Sequence, residues 1–303
     1  MSEIDFINVG YGDSILLQSI DQRALIDCGD MRIRVNPEKG ERIVASDYLI
    51  QQGIDAIDLL WITHLHLDHV GGLDAMPHKI GIKRIVTPYI PDKQLINRIA
   101  PIPEGAPDGV VCLIKALNIY TQALKFYLLN GAEVLYCSPL TKKIDPIQIG
   151  ECVLEPFYQN NREGFFFMKK CFDDALMGCP NVNNLLLLDE TINNYSIGLH
   201  IKNNQTLIEL PGDMGLDSCK MYLDKACEIF KMPHHGHKNS IDDELMQRIR
   251  PNHTVISVSN DRLDPCPYVP VIQTALAFGD VSFTDAVTYE GTTIYHNSVH
   301  FSI

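Results

Sequence analysis

The sequence predicts an α/β fold, in which β-strands and helices build one large domain over residues 1–303. Apolar segments of strand length open the chain at residues 4–30 and return at residues 194–212, and helical patterns follow each group. With 303 residues, of which 46% are hydrophobic, the chain can bury a large core. The recurrence of strands followed by helices predicts two similar halves.

In the first half, glycine-rich connections separate short apolar segments, which predicts strands joined by tight turns. The predicted strands are Ile4–Val9, Ser14–Gln18, Arg23–Asp30, Ile54–Ile62, Ile82–Thr87 and Glu133–Cys137. Helices are predicted to begin near Ser46 and after Gly72. Apolar residues recur every three or four positions from Val110 to Leu129, which predicts an amphipathic helix.

In the second half, the pattern predicts a hairpin and then alternating helices and strands. Strands are predicted at 193–201, 206–210, 254–259, 286–289 and 292–295, and helices at 217–230, 245–249 and 271–278. The segment from about 140 to 184 has few repeating features, so we expect a divergent insert or cover there. Its aromatic residues, Phe165 to Phe167, either pack in the core or line a substrate pocket.

Charge and cysteine content restrict the class of protein. The net charge of −13 disfavours sequence-independent binding to nucleic acid, which depends on lysine and arginine. The nine scattered cysteines indicate reduced thiols rather than a disulfide framework. Met1 to Asp5 has no export signal, and no apolar run reaches 18 residues. We therefore predict a soluble cytoplasmic protein that does not bind membranes.

A cluster of metal-binding side chains follows the apolar run that ends at Ile62. His64, His66, Asp68 and His69 lie within six residues, and Gly71 and Gly72 come directly after them. Imidazole and carboxylate donors suit Zn²⁺ and, less selectively, Mn²⁺ or Fe. His64 and His66 are two residues apart, so in extended backbone both can bind one cation, whereas Asp68 and His69 can turn toward a second. The alternative is a polar loop that contains histidine by chance.

Three motifs resemble those of the metallo-β-lactamase-fold hydrolases. His64-Leu65-His66-Leu67-Asp68-His69 resembles their HxHxDH motif. Pro211-Gly212-Asp213 and Pro233-His234-His235-Gly236 are similar to later motifs of one branch, which includes the metal-dependent domain of competence-type DNA-uptake proteins and the phosphorylcholine esterases. The resemblance implies a four-layer αβ/βα sandwich with two divalent metals, most often Zn²⁺, at one edge between the sheets.

The resemblance also implies a role for each matching residue. His64, His66 and Asp213 would hold the first metal, and Asp68, His69, Asp213 and His235 the second, with Asp213 bridging both through its two oxygens. His234 would face the substrate, and Asp68, Asp213 and His234 are the expected catalytic residues. A third imidazole for the first metal is missing: His78 comes too early, and His200 is interpreted as structural. The asparagine of this branch matches Asn193-Asn194, so Asn194 is a candidate near the site.

Several charged residues have two interpretations. Asp13 and Asp27 either orient ligating imidazoles or cap backbone N–H groups. The basic residues of 31–50 (Arg32, Arg34, Lys39 and Arg42) either attract an anionic substrate or form a solvated surface. Lys238 either adds positive charge to the site or is solvated. Asp264 stands where the branch has a histidine, and could donate a proton if its pKa were raised.

The motifs favour a hydrolase in which two metals share and activate a water. A phosphodiester is the favoured substrate, because both named groups of the branch are linked to phosphoester or nucleic-acid chemistry. The substrate would be a small molecule or a nucleotide, with nucleic acid disfavoured by the net charge. One alternative is a carboxyl ester or lactam, since the motif fixes the water and not the substrate. Another is a metal-binding interaction module that has lost activity.

Overall fold

The computed structural model describes residues 2–30, 42–258, 266–294 and 298–303. In chain order, the described strands are β1 (Ser2–Phe6), β2 (Ile15–Ser19), β3 (Gln22–Ile26), β4 (Ala56–Trp61), β5 (Gly81–Thr87), β6 (Glu133–Tyr136), β7 (Ile147–Ile149), β8 (Cys152–Phe157), β9 (Gly198–Asn203), β10 (Thr206–Leu210), β11 (Ile229–Lys231), β12 (His253–Ile256), β13 (Asp280–Phe283), β14 (Val287–Tyr289), β15 (Thr292–Ile294) and β16 (Val299–Ser302). The described α-helices are α1 (Ala45–Gln51), α2 (Leu67–Val70), α3 (Asp108–Leu129), α4 (Arg162–Leu176), α5 (Val182–Thr191), α6 (Leu216–Tyr222), α7 (Asp243–Ile249) and α8 (Val269–Leu276).

Two seven-stranded sheets form the centre of the molecule. The first has the order β16-β1-β2-β3-β4-β5-β6, and the second has the order β13-β12-β11-β10-β9-β8-β7. Strands β3 to β6 run parallel to one another, as do β10 to β13. Since parallel strands need crossover connections, helices are placed between them.

Three apolar clusters show that the sheets and helices form four layers. One cluster joins the two sheets, with Phe6 and Trp61 from the first sheet meeting Leu199 and Leu210 from the second. A second cluster packs helices α1, α3, α4 and α5 on the outer side of the first sheet. A third packs α6, α7 and α8 on the outer side of the second sheet. The predicted four-layer α/β sandwich is confirmed.

The segment 140–184 is divided between a sheet and a helical layer. It supplies β7 and β8 at one edge of the second sheet, and then α4, where Phe165 is buried, Phe166 is 61% exposed and Phe167 packs partly on the core. Leu185 to Leu188, a strand-sized apolar run in the sequence, lies in α5 because Leu185 and Leu188 face the second cluster. Most of these aromatic side chains therefore serve packing.

Two other predictions differ from the structure. The helix expected over 217–230 ends at Tyr222, and β11 follows it, because Ile229 and Phe230 pair with β10 and β12 inside the sheet. The helix expected after Gly72 begins earlier, at Leu67, and continues as a 3₁₀ turn from Gly71 to Ala75. Both differences arise where tertiary pairing overrides local helix propensity.

The fold brings the ends of several strands to one edge of the sandwich. β3 ends before Asp27 and β4 before the histidine loop, whereas β10 ends before Asp213 and β11 before His235. The carboxyl ends of parallel strands are where open α/β sheets bind ligands. In the described part of the chain, no helix is long and apolar enough to cross a membrane.

Candidate metal centre

The histidine loop after β4 places three imidazoles together. The ring centroids of His64 and His69 lie 4.1 Å apart, and those of His64 and His66 lie 5.0 Å apart. His64 and His69 are fully buried, whereas the His66 side chain is 20% exposed. Burial and the neighbouring His69 lower the pKa of His64 well below its ordinary value, so its ring is neutral and able to bind a cation.

Asp27 contacts the Nδ1 atom of His69, the ring nitrogen that does not face Asp213. Its Oδ2 lies 2.8 Å from His69 Nδ1, and its two oxygens accept hydrogen bonds from Thr63 N at 2.8 Å and Thr63 Oγ1 at 2.6 Å. Burial opposes a charge on His69, but Asp213 and Asp27 raise the pKa of His69 well above its ordinary value. Asp27 thus orients an imidazole and also caps a backbone N–H, so the two interpretations of this residue both describe its contacts.

Asp213 and His235 approach the histidine loop from the second sheet. Asp213 Oδ2 lies 3.3 Å from His69 Nε2 and 3.3 Å from His235 Nε2, and Asp68 Oδ2 lies 3.4 Å from His235 Nε2. Burial would raise the pKa of Asp213, but His235, His69 and Lys231 hold it well below its ordinary value. One oxygen of Asp213 faces both histidines, whereas Oδ1 lies 3.6 Å from Lys231 Nζ.

The backbone separates the two adjacent histidines of the PHHG motif. His234 (φ 48°), His235 (φ 53°) and Gly236 (φ 79°) all have left-handed backbone conformations, which are uncommon for residues with a side chain. His235 consequently faces Asp213, whereas His234 Nε2 accepts a hydrogen bond from Asn193 Nδ2 at 3.2 Å. Burial lowers the pKa of His234 to about 4, so the ring is neutral at pH 7.

The unsatisfied atoms of this site fit metal ions. The Nε2 atoms of His64, His66, His69 and His235 are buried and have no hydrogen-bond partner, and Asp213 Oδ1 has none. Buried polar atoms normally have partners, so a set of convergent lone pairs indicates ligands for a cation. Donor atoms lie within 4.8 Å of one another in four groups: His64, His69 and Asp213; Asp68, His69 and His235; Asp13, Asp27 and His69; and Asp13, Asp213 and His235.

The distances between carboxylate oxygens and imidazole nitrogens in this site fall into a shorter and a longer group. The contact from Asp27 to His69 Nδ1 is 2.8 Å, a hydrogen bond. The contacts between carboxylate oxygens and Nε2 atoms are 3.3 to 3.4 Å. Two ligands on one tetrahedral zinc, each about 2.0 to 2.1 Å from the metal, lie about 3.3 Å apart. The longer contacts therefore have the spacing of donors that share an ion.

Lys231 is a buried cation that the sequence analysis did not identify. Its side chain is 1% exposed, contacts Asp13 Oδ2 and lies beside Asp213. Asp13 in turn lies 3.7 Å from His235 Nδ1. Burial opposes the charge, but Asp13 and Asp213 raise the pKa of Lys231. A lysine within the apolar run Ile229–Met232 was the available signal, because lysine is seldom buried without a partner.

The site combines more negative than positive charge. Asp13, Asp27, Asp68 and Asp213 surround the imidazoles, Lys231 lies beside Asp13 and Asp213, and metal ions would replace the protons that these carboxylates favour on His69. Uncompensated buried carboxylates are unfavourable. With neutral imidazoles, the four carboxylates and Lys231 would have a net charge of about −1 with one divalent ion bound and about +1 with two. The donor set therefore accommodates one or two such ions.

The structure places the remaining predicted residues at different distances from the centre. Asn194 lies against Gly215, and it is the preceding Asn193 that contacts His234. Lys238 is exposed. His200, in β9, lies 2.6 Å from Glu209, in β10. Asp264, Arg32, Arg34 and Lys39 lie outside the described residues. Arg42 forms a buried ion pair with Asp285 at 2.6 Å, so it stabilises the fold rather than presenting charge to a substrate.

Two glycines permit the close packing of loops around the site. Gly12 has a left-handed backbone, and a Cβ there would overlap the carbonyl of Asp68. A Cβ on Gly72 would overlap the carbonyl of Cys28. The absence of a side chain at Gly72 thus permits this contact.

A polar cavity of about 580 Å³ adjoins the centre. Two of its lining residues are close in sequence to residues of the site: Asn194 follows Asn193, and Gly215 lies two positions after Asp213. Its lining consists mainly of amide and hydroxyl side chains: Gln159, Asn161, Thr191, Asn194, Tyr195, Gly215, Leu216, Asp217, Ser218 and Asn239. Asp217 is the one charged residue among them, so the cavity fits an uncharged polar group.

Comparison with known proteins supports the resemblance of the motifs. Residues 7–93 match the family model described as the metallo-beta-lactamase superfamily. The chain is 23% identical over 289 residues to ComE operon protein 3 of Bacillus subtilis (strain 168), which covers 89% of this chain and 30% of that protein. It is 25% identical over 173 residues to the anti-Pycsar protein Apyc1 of Paenibacillus sp. (strain J14), which covers 56% of this chain and 68% of that protein. The chain thus spans about 30% of the length of ComE operon protein 3.

Among solved structures, the chain is similar to a mutant of the β-hydroxylase CmlA. The TM-score is 0.51 at 12% identity, and the superposition covers 100% of this chain and 54% of that chain. CmlA is a diiron β-hydroxylase from Streptomyces venezuelae. At this identity the likeness shows the fold alone.

Proposed function

We propose that this chain, of which residues 7–93 match the metallo-beta-lactamase superfamily model, is a hydrolase that uses two divalent metal ions to cleave small phosphodiesters. One observation carries the proposal: the unpartnered Nε2 atoms of His69 and His235 face one oxygen of Asp213, and His64 has a donor atom within 4.8 Å of donor atoms of His69 and Asp213. Such a donor set suits Zn²⁺ best, and Mn²⁺ or Fe as alternatives.

The ligands divide between two positions. His64, His66 and Asp213 would hold the first ion, and Asp68, His69, Asp213 and His235 the second. Bound divalent ions supply Lewis-acid charge, which lowers the pKa of water and stabilises charge on phosphoryl oxygens. Asp213, shared by both positions, fixes the distance between them, and Asp27 keeps His69 in the orientation in which Nε2 faces the site.

His234 is placed to contact the substrate rather than a metal. Because Asn193 Nδ2 donates to His234 Nε2, the proton of the neutral ring resides on Nδ1. The Nδ1–H group can then donate a hydrogen bond to a phosphoryl oxygen. This assignment favours a hydrogen-bonding role over protonation of the leaving group, which a neutral imidazole does poorly.

The polar cavity supports a small substrate. Apart from Asp217, its lining is uncharged, and the whole chain carries a net charge of −13. Both features disfavour a polyanion such as nucleic acid, because its many phosphates require cationic partners. A single phosphodiester with an uncharged polar substituent would place its phosphate at the metals and its substituent in the cavity.

Metal analysis and hydrolysis assays test this proposal together. The purified protein is loaded with Zn²⁺ or Mn²⁺, its metal content is measured by mass spectrometry, and turnover is measured on bis-p-nitrophenyl phosphate, single-stranded DNA, p-nitrophenyl esters and a lactam. We expect two equivalents of metal and faster turnover of the small phosphodiester than of DNA. Two histidine variants serve as controls. His253→Asn, in β12, should retain activity, whereas His235→Asn, which removes a proposed ligand, should lose it.

Other outcomes would favour the other candidates. Turnover of the lactam or the carboxyl ester without turnover of a phosphodiester would reject the proposed substrate class while retaining the metal site. Fewer than two equivalents of metal, not restored by added Zn²⁺ or Mn²⁺, together with no turnover, would favour a metal-binding interaction module.

A further inference from the structure

Lys231 is a buried cation to which the proposed function gives no role. Its side chain is 1% exposed, its Nζ atom contacts Asp13 Oδ2, and the same atom lies 3.6 Å from Asp213 Oδ1. We propose that Lys231 is a positioning residue, whose ammonium group attracts Asp213 Oδ1 and so keeps Oδ2 facing the metal positions. This inference rests on the metal-binding part of the proposed function.

The orientation of the Asp213 carboxylate determines which oxygen faces the ligand histidines. Oδ2 lies 3.3 Å from the Nε2 atoms of both His69 and His235, whereas Oδ1 lies on the side of Lys231. The torsion that turns a carboxylate about its Cβ–Cγ bond is broad, so it does not fix this arrangement by itself. The 3.6 Å separation is longer than a hydrogen bond, so Lys231 acts on Oδ1 through charge attraction, which is strong where water is excluded. The lysine thus distinguishes two otherwise equivalent oxygens.

The strand β11 directs Lys231 to the site. Ile229, two positions earlier, packs between the two sheets, and alternate residues of a strand face the same side. The Lys231 side chain therefore extends between the sheets, close to the PHHG motif. An apolar side chain would pack there without the cost of burying an ammonium group. A requirement for packing alone therefore does not account for a lysine.

Asp13 holds the ammonium group from the side of the first sheet. Its side chain is 2% exposed, and its backbone is fixed by two hydrogen bonds: Asp13 N donates to the Asp68 carbonyl at 3.2 Å, and Gly29 N donates to the Asp13 carbonyl at 2.8 Å. Asp13 Oδ1 also lies 3.7 Å from His235 Nδ1. Since Lys231 belongs to the second sheet, its ion pair with Asp13 connects the two halves of the metal centre.

Three roles of Lys231 predict different effects of its removal on metal binding. A cation that acts on the ions only through its charge repels them, so its loss would strengthen binding. A lysine that only stabilises the fold would change the unfolding temperature and not the metal affinity of the folded protein. A lysine that positions Asp213 would, when lost, weaken binding by about 10- to 100-fold, as other residues that orient ligands do. The direction of the change therefore identifies the role.

Substitutions at positions 13 and 231 separate these roles. Lys231→Met removes the charge and keeps an unbranched side chain, but it leaves Asp13 buried without its cation, which can prevent folding. The comparison is therefore between Asp13→Asn and the double variant Asp13→Asn/Lys231→Met, which differ only in the lysine. The matched control compares Asp285→Asn with Asp285→Asn/Arg42→Met, because Arg42 is also a buried cation, paired with Asp285 at 2.6 Å.

The readouts are the affinity of each bound metal equivalent, from competition with a chromophoric chelator, and the visible absorption of the Co²⁺-loaded protein, which depends on the arrangement of ligands around the ion. In the Asp13→Asn background, we expect loss of the lysine to lower metal affinity by about 10- to 100-fold and to change the Co²⁺ spectrum. The two control variants should have equal affinities and equal spectra. Circular dichroism verifies that each variant is folded.

Two results would overturn the inference. Affinities that agree within about twofold with and without the lysine, together with unchanged Co²⁺ spectra, would assign Lys231 to the fold alone. A higher affinity without the lysine would assign it a purely electrostatic effect on the ions. A wild-type chain that binds no metal would overturn the proposed function, and this inference with it, which is a separate outcome.

Discussion

The inner and outer parts of the metal centre differ in how the protein holds its donors. The inner donors, His64, His69, Asp213 and His235, are almost completely buried. The second ring nitrogens of two of them contact protein groups: Thr63 Oγ1 lies 3.1 Å from His64 Nδ1, and Asp27 Oδ2 lies 2.8 Å from His69 Nδ1. At the outer edge, the side chains of His66 and Asp189 are partly exposed and lie 3.5 Å apart on two separate elements.

This difference suggests different responses to the metal. The inner donors have little freedom to rearrange, because hydrogen bonds and packing fix them before an ion arrives. The outer side chains are aligned by the packing of α5 against α3 and by the backbone before α2. We therefore expect the second position, which includes His69 and His235 and is the inner one, to bind metal more tightly, and the first position, which includes the partly exposed His66, to exchange more readily.

The largest effect is expected at the residue that the two positions share. Asp213→Asn removes the carboxylate that faces both His69 and His235, so both metal equivalents and hydrolysis should be lost. The loss of activity should exceed the about 10- to 100-fold typical of outer partners. Metal analysis and circular dichroism of the same sample check this. Two retained equivalents in a folded variant would show that Asp213 is not the shared ligand.

A smaller effect, confined to turnover, is expected at His234. If His234 donates a hydrogen bond to the substrate, His234→Phe, which keeps a ring but has no donor, should lower kcat by about 100- to 1000-fold, the usual effect of removing one such donor. Its metal content should remain at two equivalents, because His234 faces Asn193 rather than Asp213. Steady-state kinetics and metal analysis check this, with His253→Asn as control. Loss of metal would instead place His234 among the ligands.

The smallest effect is expected from a residue behind the inner donors. Asp27→Asn weakens the contact that orients His69, so metal affinity at the inner position should fall by about 10- to 100-fold. Asp5→Asn is a matched control, because Asp5 contacts His300 Nδ1 at the same distance of 2.8 Å, away from the site. Chelator competition measures both variants. Equal affinities in the two would mean that Asp27 serves the fold and not the metal.

The parts of the fold that the sequence predicted are those with regular periodicity. The strands of residues 2–30 are continuous apolar runs because both of their faces pack in apolar clusters, and the helix Asp108–Leu129 follows its three-to-four-residue spacing because one face packs in a core. The β13 and β16 strands were missed, because β13 pairs at a sheet edge beside β12 and β16 pairs with β1 from the other end of the chain. Such distant pairing leaves no local signal.

The candidate site was predictable to the extent that motifs concentrate its residues. His64 to His69 lie within six positions, and Asp213 and His235 follow strands, so donor chemistry and spacing pointed to them. Lys231 and Asp189 stand alone in the sequence. Their proximity to the site depends on β11 lying beside β10 and on α5 packing against α3. The cavity of about 580 Å³ likewise exists only after assembly.

The sequence by itself determined the α/β class and the kinds of donor available, because hydrophobic period and ligand chemistry are local properties, whereas the four layers were implied only by the resemblance of its motifs. Tertiary structure alone decided that one oxygen of Asp213 faces two histidines, that a buried lysine lies 3.6 Å from the other oxygen, and that Asp189 lies near His66. The physical reason is that charges and lone pairs act over a few ångströms of space, whatever the distance along the chain.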